Sequence, residues 1–274
     1  MLGSPCQARK LTNAVPPTKA PLLHEFADVF TQPIGLPPTR SVEHHINLIS
    51  GASLPNTPYY HLAPREAAEI ECQIDELLTS GHIQPSSSPC ASPTFIIPKK
   101  DTFEWRLVTD YRALNKVTVK NHYTLPLIDD LLDHLHGACF FTKMDLTTSY
   151  HQVRMHATNT WKNDFKTNFG LFEWLVMSFG VTNALATFMR FINDIFREHL
   201  GKFVVIYLDD ILVFSKSQEY PIQDARTILE LLQAHHLQFK EKKSYFGQTS
   251  VQYLGFIIDS IGVHPYPSCV QALV

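Results

Sequence analysis

Asp209 and Asp210 lie side by side between two strongly apolar stretches of the chain, residues 203–207 and 211–214. Consecutive side chains of a strand point to opposite faces, and a carboxylate buried without a partner is costly. The pattern therefore predicts a tight hairpin with both acids at an exposed turn. Two adjacent carboxylates repel one another unless a cation lies between them, and Mg²⁺ prefers carboxylate oxygens and phosphate partners. An ordinary aspartate-containing turn is the alternative interpretation.

A third acid, Asp145, ends the stretch Phe140-Phe141-Thr142-Lys143-Met144, which is predicted to be a strand. Carboxylates from separate strand ends can converge on one pair of metal ions. Such a pair stabilises the attacking and leaving oxygens of a phosphoryl displacement. Taken by itself, Asp145 could equally cap the turn that follows it.

The elements that must position these acids are predicted from apolar periodicity and from turn residues. The first sixty residues, rich in proline, are expected to form an extended arm with little regular structure. Helices are predicted after Pro64 as far as Gly81, after Pro126 as far as Gly137, from about 184 to 199 with Thr182 or Asn183 as the cap, and near 221–235. Strands are predicted at 95–97, 105–110, 140–145, in a hairpin over 165–177, at 203–207, 211–214, 238–246 and 251–258. Helices interleaved with hairpin-joined strands indicate an α+β fold with an antiparallel sheet and helices on one face.

Composition excludes several classes of protein. The chain of 274 residues is long enough to bury a sizeable core, and its apolar content of 45% argues against wholesale disorder. No apolar run is long enough to cross a membrane, so no membrane partner is expected. Five widely spaced cysteines without a CxxC pair favour reduced thiols in an intracellular protein over a zinc site. A formal net charge of −3 weakly opposes nucleic-acid binding, although residues 95–125 carry six basic residues against three acidic ones.

A series of motifs, in order along the chain, resembles the reverse transcriptase of gypsy-type LTR retrotransposons. The resemblance runs from Phe26 to about Gly262, and its pieces are FADVF, GLPPTR, GHIQPSSSPCASP, PKKD, DYRALN, LPLIDDLLDHLHGA, KMDLTTSYHQV, FEWLVMSFGVTNALATF, YLDDILVFS and VQYLGFIID. Each short piece is weak evidence alone, and the order and spacing of the whole set are specific.

The resemblance implies a right-hand polymerase made of fingers and palm, with the thumb largely absent. After an arm over residues 1–60, the polymerase domain would span 61–274. The fingers would comprise about 61–136 and 155–178, and the palm about 137–154 and 179–262. Residues 263–274 would begin the connection to a thumb. The thumb, RNase H and integrase modules are expected in a parent polyprotein.

The resemblance also assigns metal binding and catalysis to Asp145, Asp209 and Asp210, with Mg²⁺ as the cofactor and Mn²⁺ as a substitute. Asp145 and Asp209 would hold the ions that bridge a deoxynucleoside triphosphate and the 3′-hydroxyl of a primer on an RNA or DNA template. Asp210 would be a supporting ligand. Lys243 matches, loosely, a lysine proposed to protonate the departing pyrophosphate. A surface lysine is the competing interpretation for Lys243.

Further residues are implied to bind the nucleotide or the primer. Lys99 and Arg106 would contact the triphosphate, since a lysine charge and an arginine fork suit phosphate oxygens. Tyr150 would lie under the sugar and exclude a 2′-hydroxyl, beside Ser149 and Gly180. The turn Tyr253-Leu254-Gly255 would hold the primer end. The alternatives are that Lys99 and Arg106 are solvated surface charges and that Tyr150 is a core residue. Gly180 could simply be a hairpin glycine, and residues 253–255 could be a plain hairpin turn.

The sequence departs from the family pattern near the site. Ser178, Leu185 and Met189 replace proline, proline and glutamine, and Asn163-Asp164 replaces Thr-Ala. Met189 is expected to remove an amide near the template. The predicted function is RNA-directed DNA polymerase, in the cytoplasm within a virus-like particle or in the nucleus. The alternatives are a truncated non-catalytic remnant, a nucleic-acid-binding or Gag-type interaction module, and a viral RNA-dependent RNA polymerase.

Overall fold

The computed structural model describes residues 19–31, 35–98, 104–147, 149–217 and 222–266. The helices are α1 Lys19–Glu25, α2 Pro64–Thr79, α3 Arg112–Val117, α4 Ile128–His134, α5 Ala184–Phe196 and α6 Ile222–Ala234. The strands are β1 Ile83–Pro85, β2 Ser92–Pro98, β3 Trp105–Thr109, β4 Phe140–Asp145, β5 Asp164–Thr167, β6 Gly170–Trp174, β7 Val204–Tyr207, β8 Asp210–Ser215, β9 Tyr245–Gln248, β10 Ser250–Tyr253, β11 Phe256–Asp259 and β12 Gly262–Pro265. The α+β class is confirmed.

One sheet of five strands, in the order β1-β6-β5-β2-β3, forms the first half of the fold. Its strands pair antiparallel except β2 with β5. Helix α2 begins at Pro64, where the Glu66 carboxylate accepts the Ala63 N–H, and it buries Ile70 and Ile74 against this sheet. The helix ends before Gly81, whose φ of 71° favours glycine. The predicted limits and inward face of α2 are confirmed.

A second sheet, β7-β8-β4-β9, is antiparallel throughout and has an apolar cluster on each face. Helices α5 and α6 cover one face, where Phe188 and Leu229 are completely buried. Helix α4 and the three-stranded sheet β10-β11-β12 cover the other face, where Phe141 and Tyr253 are completely buried. Burial of each such side chain contributes about 1.5–3 kcal/mol. Two covered faces explain why β7 and β8 are apolar without alternation.

Several local predictions were wrong. The region expected to be an extended arm contains α1 and a 3₁₀ helix, Ala27–Phe30, whose apolar side chains enter the core. Asn183 precedes α5 but makes no capping bond, because its side chain bridges Asn121 N–H and Val119 O. The strand predicted at 238–246 is confirmed only at its end, where β9 begins at Tyr245, and residues Glu241–Lys243 before it form a 3₁₀ helix. Apolar content marked these segments as buried, and it did not distinguish a strand from an irregular chain.

Among the described residues, no helix combines the length and apolar character that a membrane crossing requires. Cys72, Cys90 and Cys139 are free thiols, and Cys6 and Cys269 lie outside the described residues.

Asp164, one of the family departures, is a completely buried carboxylic acid on β5. It lies opposite Glu173 of β6. Neither of its carboxylate oxygens has a hydrogen-bond partner at normal geometry. Burial raises the pKa of Asp164 to about 7; the nearby Ser86 hydroxyl lowers it in part, and Glu173 raises it. The protonated acid is therefore the form that the fold prefers.

Replacing Asp164 with asparagine is expected to stabilise the protein at pH 8 and to change little at pH 4. The pKa of Asp164 is higher in the folded chain than in the unfolded chain, so its favourable contribution is present below pH 3.8 and is lost as the pH rises through about 7. The gain at pH 8 should be on the order of 1–3 kcal/mol, the cost of an unpaired buried polar group. Thermal unfolding at both pH values measures it, with Asp130→Asn, an exposed acid of α4, as the control. A difference from wild type that is the same at both pH values would contradict the assignment.

Candidate active site

The hairpin of β7 and β8 carries the adjacent aspartates. Tyr207 pairs with Asp210, so Leu208 and Asp209 form the turn, and Leu208 has the positive φ of 55° that such turns require. The predicted hairpin is confirmed. The turn is less exposed than predicted, because the Asp209 side chain is partly buried and its Oδ1 is inaccessible to solvent and lacks a hydrogen-bond partner.

Strand β4 brings Asp145 to the same end of the sheet. Asp145 lies directly opposite Asp210 in the antiparallel register, and the N–H of Leu146 donates to the Asp209 carbonyl at 3.3 Å. Residues more than sixty positions apart in sequence are thus neighbours in space. The three predicted acids, Asp145, Asp209 and Asp210, form one group at the end of β4 and β8, called here the aspartate site.

The electrostatics of the aspartate site favour a bound cation. Burial is the main reason that the pKa of Asp209 is raised, and the neighbouring charges of Asp145 and Asp210 raise it further. The nearby hydroxyl of Ser149, which is buried, and the charge of Lys240 lower the pKa in part. A charged Asp209 is therefore costly in the protein alone, and a divalent ion next to its unpaired Oδ1 would remove that cost.

Asp210 is engaged differently from the other two acids. Lys143 Nζ lies 3.1 Å from the Asp210 carboxylate, and it also donates to the Gln252 carbonyl at 3.4 Å. Its ammonium group lies 6.0 Å from the centre of the Tyr253 ring. Sequence reasoning missed Lys143, although the two-residue period of a strand places it on the same face of β4 as Asp145. Lys143 thus links Asp210 to the hairpin of β10 and β11.

Two lysines flank Asp145 on the other side. Lys240 Nζ lies 4.0 Å from Asp145 Oδ1, and Lys243 Nζ lies 3.8 Å from Asp145 Oδ2. The backbone N–H of Lys240 also donates to the Asp145 carbonyl at 2.9 Å. Lys243 was singled out from the sequence and Lys240 was not. Both are brought to the aspartate site by the segment that follows α6.

The described residues contain no group of three or more histidine, cysteine, aspartate or glutamate side chains already arranged around one ion position. Asp210 is paired with Lys143 at 3.1 Å, whereas the lysines near Asp145 lie at 3.8 Å and 4.0 Å and Asp209 Oδ1 is unpaired, so Asp145 and Asp209 are the two acids held less closely by lysine. Their oxygen donors are the type that Mg²⁺ and Mn²⁺ bind. The chemistry of the acids therefore fits a divalent ion held chiefly by these two residues.

Tyr150 lies next to the aspartate site in an aromatic cluster. Its ring centre is 4.5 Å from that of Phe179 and 5.5 Å from that of Phe188. Burial, with a smaller contribution from Asp209, raises the pKa of Tyr150 to about 12, so its hydroxyl stays neutral. Phe179 is 52% exposed beside it, and sequence reasoning had not singled it out. Tyr150 is thus neither a fully buried core residue nor a mobile surface residue.

Gly180 has a φ of 88°, a conformation that favours glycine. A Cβ added there would lie 3.6 Å from the Tyr111 ring, which is ordinary van der Waals contact. Backbone conformation, not lack of space, therefore requires this glycine. Its contact with a nucleotide stays a prediction.

The remaining predicted residues lie on other elements. Lys99 lies outside the described residues. Arg106 is an exposed residue of β3, opposite Ile97 in the first sheet, and is therefore on a different sheet from the aspartates. Leu254 and Gly255, with φ of 52° and 84°, form the turn between β10 and β11.

Tyr253 precedes the turn between β10 and β11. It is completely buried, and burial together with the nearby charge of Asp210 raises its pKa. Its hydroxyl has no hydrogen-bond partner. Lys143, which pairs with Asp210 and donates to the Gln252 carbonyl, connects Asp210 to the strand that leads into this turn.

The departures from the family pattern are accommodated in the protein interior. Ser178 is buried, and its hydroxyl lies 3.0 Å from Asn163 Oδ1 and 3.2 Å from the Tyr111 hydroxyl. Met189 is completely buried, so the expectation that it removes an amide next to a template is wrong. Leu185 lies in the first turn of α5, where either proline or leucine is tolerated because the N–H has no partner within the helix.

Comparison with known sequences supplies independent evidence. The profile of the family described as reverse transcriptase (RNA-dependent DNA polymerase) matches residues 97–258. The retrovirus-related Pol polyprotein from transposon opus of Drosophila melanogaster is 38% identical over 92% of this chain and 26% of its own length. The corresponding polyprotein from transposon gypsy of the same organism is 35% identical over 74% of this chain and 20% of its own. The Transposon Tf2-3 polyprotein of Schizosaccharomyces pombe is 34% identical over 94% of this chain and 20% of its own. The chain thus spans about a quarter or less of these relatives.

Solved structures agree on the fold. A foamy viral protease-reverse transcriptase in complex with RNA/DNA hybrid superposes with a TM-score of 0.81 at 22% identity, over 93% of this chain and 34% of that chain. The same viral protein in complex with dsDNA gives a TM-score of 0.82 at 22% identity, over 93% of this chain and 53% of that chain. The predicted fingers-and-palm architecture is therefore confirmed at the level of the fold.

Removal of the Ser178 hydroxyl is expected to destabilise the protein by about 1–2 kcal/mol, because Ser178→Ala leaves the buried Asn163 and Tyr111 groups with fewer partners. For a chain of this size that corresponds to a fall in Tm of roughly 2–6 °C. Tyr111→Phe removes another member of the same network. The double variant should therefore lose less stability than the two single losses added together. Strict additivity in thermal unfolding would show that the three side chains do not act together.

Proposed function

The chain belongs to the reverse transcriptase family, and on that premise we propose that it is the fingers and palm of an RNA-directed DNA polymerase, which adds deoxynucleotides to a primer 3′ end. The observation that carries the proposal is the aspartate site. Asp209 is half-buried and its Oδ1 has no hydrogen-bond partner, and it lies beside Asp145 at the end of an apolar sheet, where no structural need explains an uncompensated acid. In this proposal residues 61–136 and 155–178 are the fingers, and residues 137–154 and 179–262 are the palm.

The proposed cofactor is Mg²⁺, with Mn²⁺ as a substitute, held by Asp145 and Asp209. The observation in favour is the unpaired Asp209 Oδ1 beside a second carboxylate, a donor set suited to a hard cation. When bound, such ions lower the pKa of the primer hydroxyl and neutralise phosphate charge. Asp210, paired with Lys143, supports the site by keeping the third negative charge compensated.

The protein's own side chains would carry the remaining tasks. Ser149, which is buried and whose hydroxyl lowers the pKa of Asp209, would orient that carboxylate. Lys243, 3.8 Å from Asp145, is positioned to donate a proton to the pyrophosphate that leaves. Lys240 adds a second positive charge beside the same acid, which would stabilise the negative charge that develops on the leaving pyrophosphate.

Contacts with the substrates are assigned to the elements around the aspartate site. Arg106 of the fingers sheet, together with Lys99, would bind the triphosphate oxygens. Tyr150, held by Phe179 and Phe188, would meet the sugar, next to Gly180. The turn at 253–255, linked to Asp210 through Lys143, would contact the primer end. The foamy viral relatives were solved with RNA/DNA hybrid and with dsDNA, which supports a primer annealed to RNA or DNA as the partner here.

A non-catalytic remnant and a pure nucleic-acid-binding module were the main alternatives. No described residue favours either of them. The three acids are present in one group, and the family departures at Ser178 and Met189 lie in the interior and make ordinary contacts. A binding module would not require carboxylates next to a negatively charged backbone, because they oppose phosphate binding unless cations intervene.

Primer extension on poly(rA)·oligo(dT) with Mg²⁺ tests the proposed activity. Asp209→Asn and Asp145→Asn should each lower the rate on the order of a hundredfold or more, since each removes a charged ligand for the ions. Asp130→Asn on α4 exchanges an exposed acid and should leave the rate unchanged. Extension that is equally fast in wild type and Asp209→Asn would refute the polymerase assignment. Salt-dependent RNA binding that survives both substitutions, without any extension, would support the binding module.

The role of Tyr150 predicts a defined change in sugar selectivity. Tyr150→Ala should raise incorporation of ribonucleotides relative to deoxynucleotides by about tenfold or more, because the ring that would clash with a 2′-hydroxyl is gone. Tyr150→Phe keeps the ring and removes only a hydroxyl that stays neutral, so it should retain wild-type selectivity. Competition between dTTP and UTP in the same extension assay measures the ratio. Unchanged selectivity in Tyr150→Ala would exclude the gate role.

A further inference from the structure

The side chain of Gln152 joins two parts of the chain that are distant in sequence. Its Nε2 donates to the Thr147 carbonyl at 2.5 Å and to the Gln238 carbonyl at 2.8 Å, and its Oε1 accepts the Gln238 N–H at 2.9 Å. The residue is only 4% exposed. A single buried amide therefore has three backbone partners, and its donors and acceptor are matched to them.

The two parts that Gln152 joins run alongside each other directly beside the aspartate site. One is the end of β4 with its continuation, residues 145–147, and the other is the segment 238–240 after α6. Leu146 forms an isolated antiparallel bridge with Phe239. The Thr147 N–H donates to the Gln238 carbonyl, and the Lys240 N–H donates to the Asp145 carbonyl, both at 2.9 Å. So short a pairing is weak by itself, because two strands alone are marginal in water.

The guanidinium group of Arg40 is hydrogen-bonded to the backbone of Gln152. Its Nη1 donates to the Gln152 carbonyl at 2.5 Å, and its Nη2 donates to the His235 carbonyl at 2.6 Å. The guanidinium group lies 4.9 Å from the centre of the Phe191 ring on α5. Arg40 thus ties the residue that carries the amide to the turn through which the chain enters the segment 238–240.

We infer that Gln152, supported by Arg40, is a positioning residue for the reaction: it fixes the segment that presents Lys240 and Lys243 to Asp145. The catalytic part of this inference rests on the proposed polymerase function. The ammonium groups stand 4.0 Å and 3.8 Å from the Asp145 oxygens. Their place depends on the register of 238–240 against 145–147, and the three side-chain bonds of Gln152 fix that register. A shift of about 1 Å at reacting groups is enough to slow a reaction a hundredfold.

The isosteric variant Gln152→Glu separates hydrogen bonding from packing. A carboxylate in the same volume can still accept the Gln238 N–H, but it cannot donate to the two carbonyls and places oxygen against them. Asn159→Ala is the matched control. It removes another buried side-chain amide, one that bonds Lys162 at 2.6 Å and makes no contact with the aspartate site.

Steady-state primer extension tests the positioning role. Gln152→Glu and Gln152→Ala should lower kcat about tenfold or more with little change in KM for the nucleotide, because nucleotide contacts in the fingers are untouched. Asn159→Ala should lower thermal stability comparably and leave kcat at the wild-type value. An equal loss of kcat in Asn159→Ala would show that the effect is general destabilisation and would overturn the inference.

A double-mutant cycle tests whether Gln152 acts through the lysines. If it does, adding Gln152→Glu to the variant Lys240→Ala/Lys243→Ala should lower the kcat of that variant by less than twofold. If Gln152 and the lysines acted independently, their separate fold-losses in kcat would multiply. A full additional tenfold loss would overturn the inference. Lysine substitutions that leave kcat unchanged while Gln152→Glu still lowers it would overturn it as well.

Hydrogen exchange separates failure of this inference from failure of the proposed function, because it needs no activity. The Thr147 and Lys240 amides, which donate across the two segments, should lose protection at least tenfold in Gln152→Glu and keep it in Asn159→Ala. If the wild-type protein showed no primer extension that depends on Asp209, the polymerase proposal would be refuted. The hydrogen-exchange comparison would still decide whether Gln152 holds the segment 238–240. Unchanged protection of these amides in Gln152→Glu would show that Gln152 does not hold the segment 238–240.

Discussion

The pairing of β4 with β8 is the interaction on which the rest of the site depends. It sets Asp145 opposite Asp210 and leaves Asp209 at the adjoining turn, so three like charges meet where the surroundings are partly apolar. Such a grouping is unfavourable by itself, and burial together with the neighbouring charges raises the pKa of Asp209. The sheet tolerates it because apolar clusters on both faces hold the strands in register irrespective of the charges at their ends.

The groups around the acids can be understood as compensation for that cost. Lys143 neutralises Asp210, Lys240 and Lys243 lie near Asp145, and the nearby Ser149 hydroxyl lowers the pKa of Asp209 in part. Compensation remains incomplete at Asp209, whose buried oxygen has no partner. In the proposed function a divalent ion would compensate this unpaired buried oxygen, which joins the energetics of the fold to the proposed chemistry. The segment that carries Lys240 and Lys243 is bonded by Gln152, which Arg40 in turn contacts, and this explains how the lysines come to lie near Asp145.

Sequence reasoning succeeded where one local pattern admits one solution. The apolar face of α2 and the turn between β7 and β8 were predictable, because helical periodicity and paired acids inside an apolar run each leave few alternatives. It failed where the outcome depended on a distant neighbour. Asn183 is a residue type that commonly caps helices, but its side chain is instead hydrogen-bonded to the backbone of Val119 and Asn121. The residues of α1 have no strong periodic signal, and the core against which they pack is formed by later parts of the chain.

The sequence alone determined the family, the α+β class and the identity of the three acids, since these follow from residue types and their order along the chain. Tertiary structure alone decided how the acids differ: Asp210 is paired, Asp209 is half-buried and unpaired, and Asp145 lies between two lysines. It also decided that Gln152, Arg40 and Lys143 belong to the site. Charge compensation and burial depend on groups that come together from separate strands and loops. The separation of two residues along the sequence does not show whether they are neighbours in the folded chain.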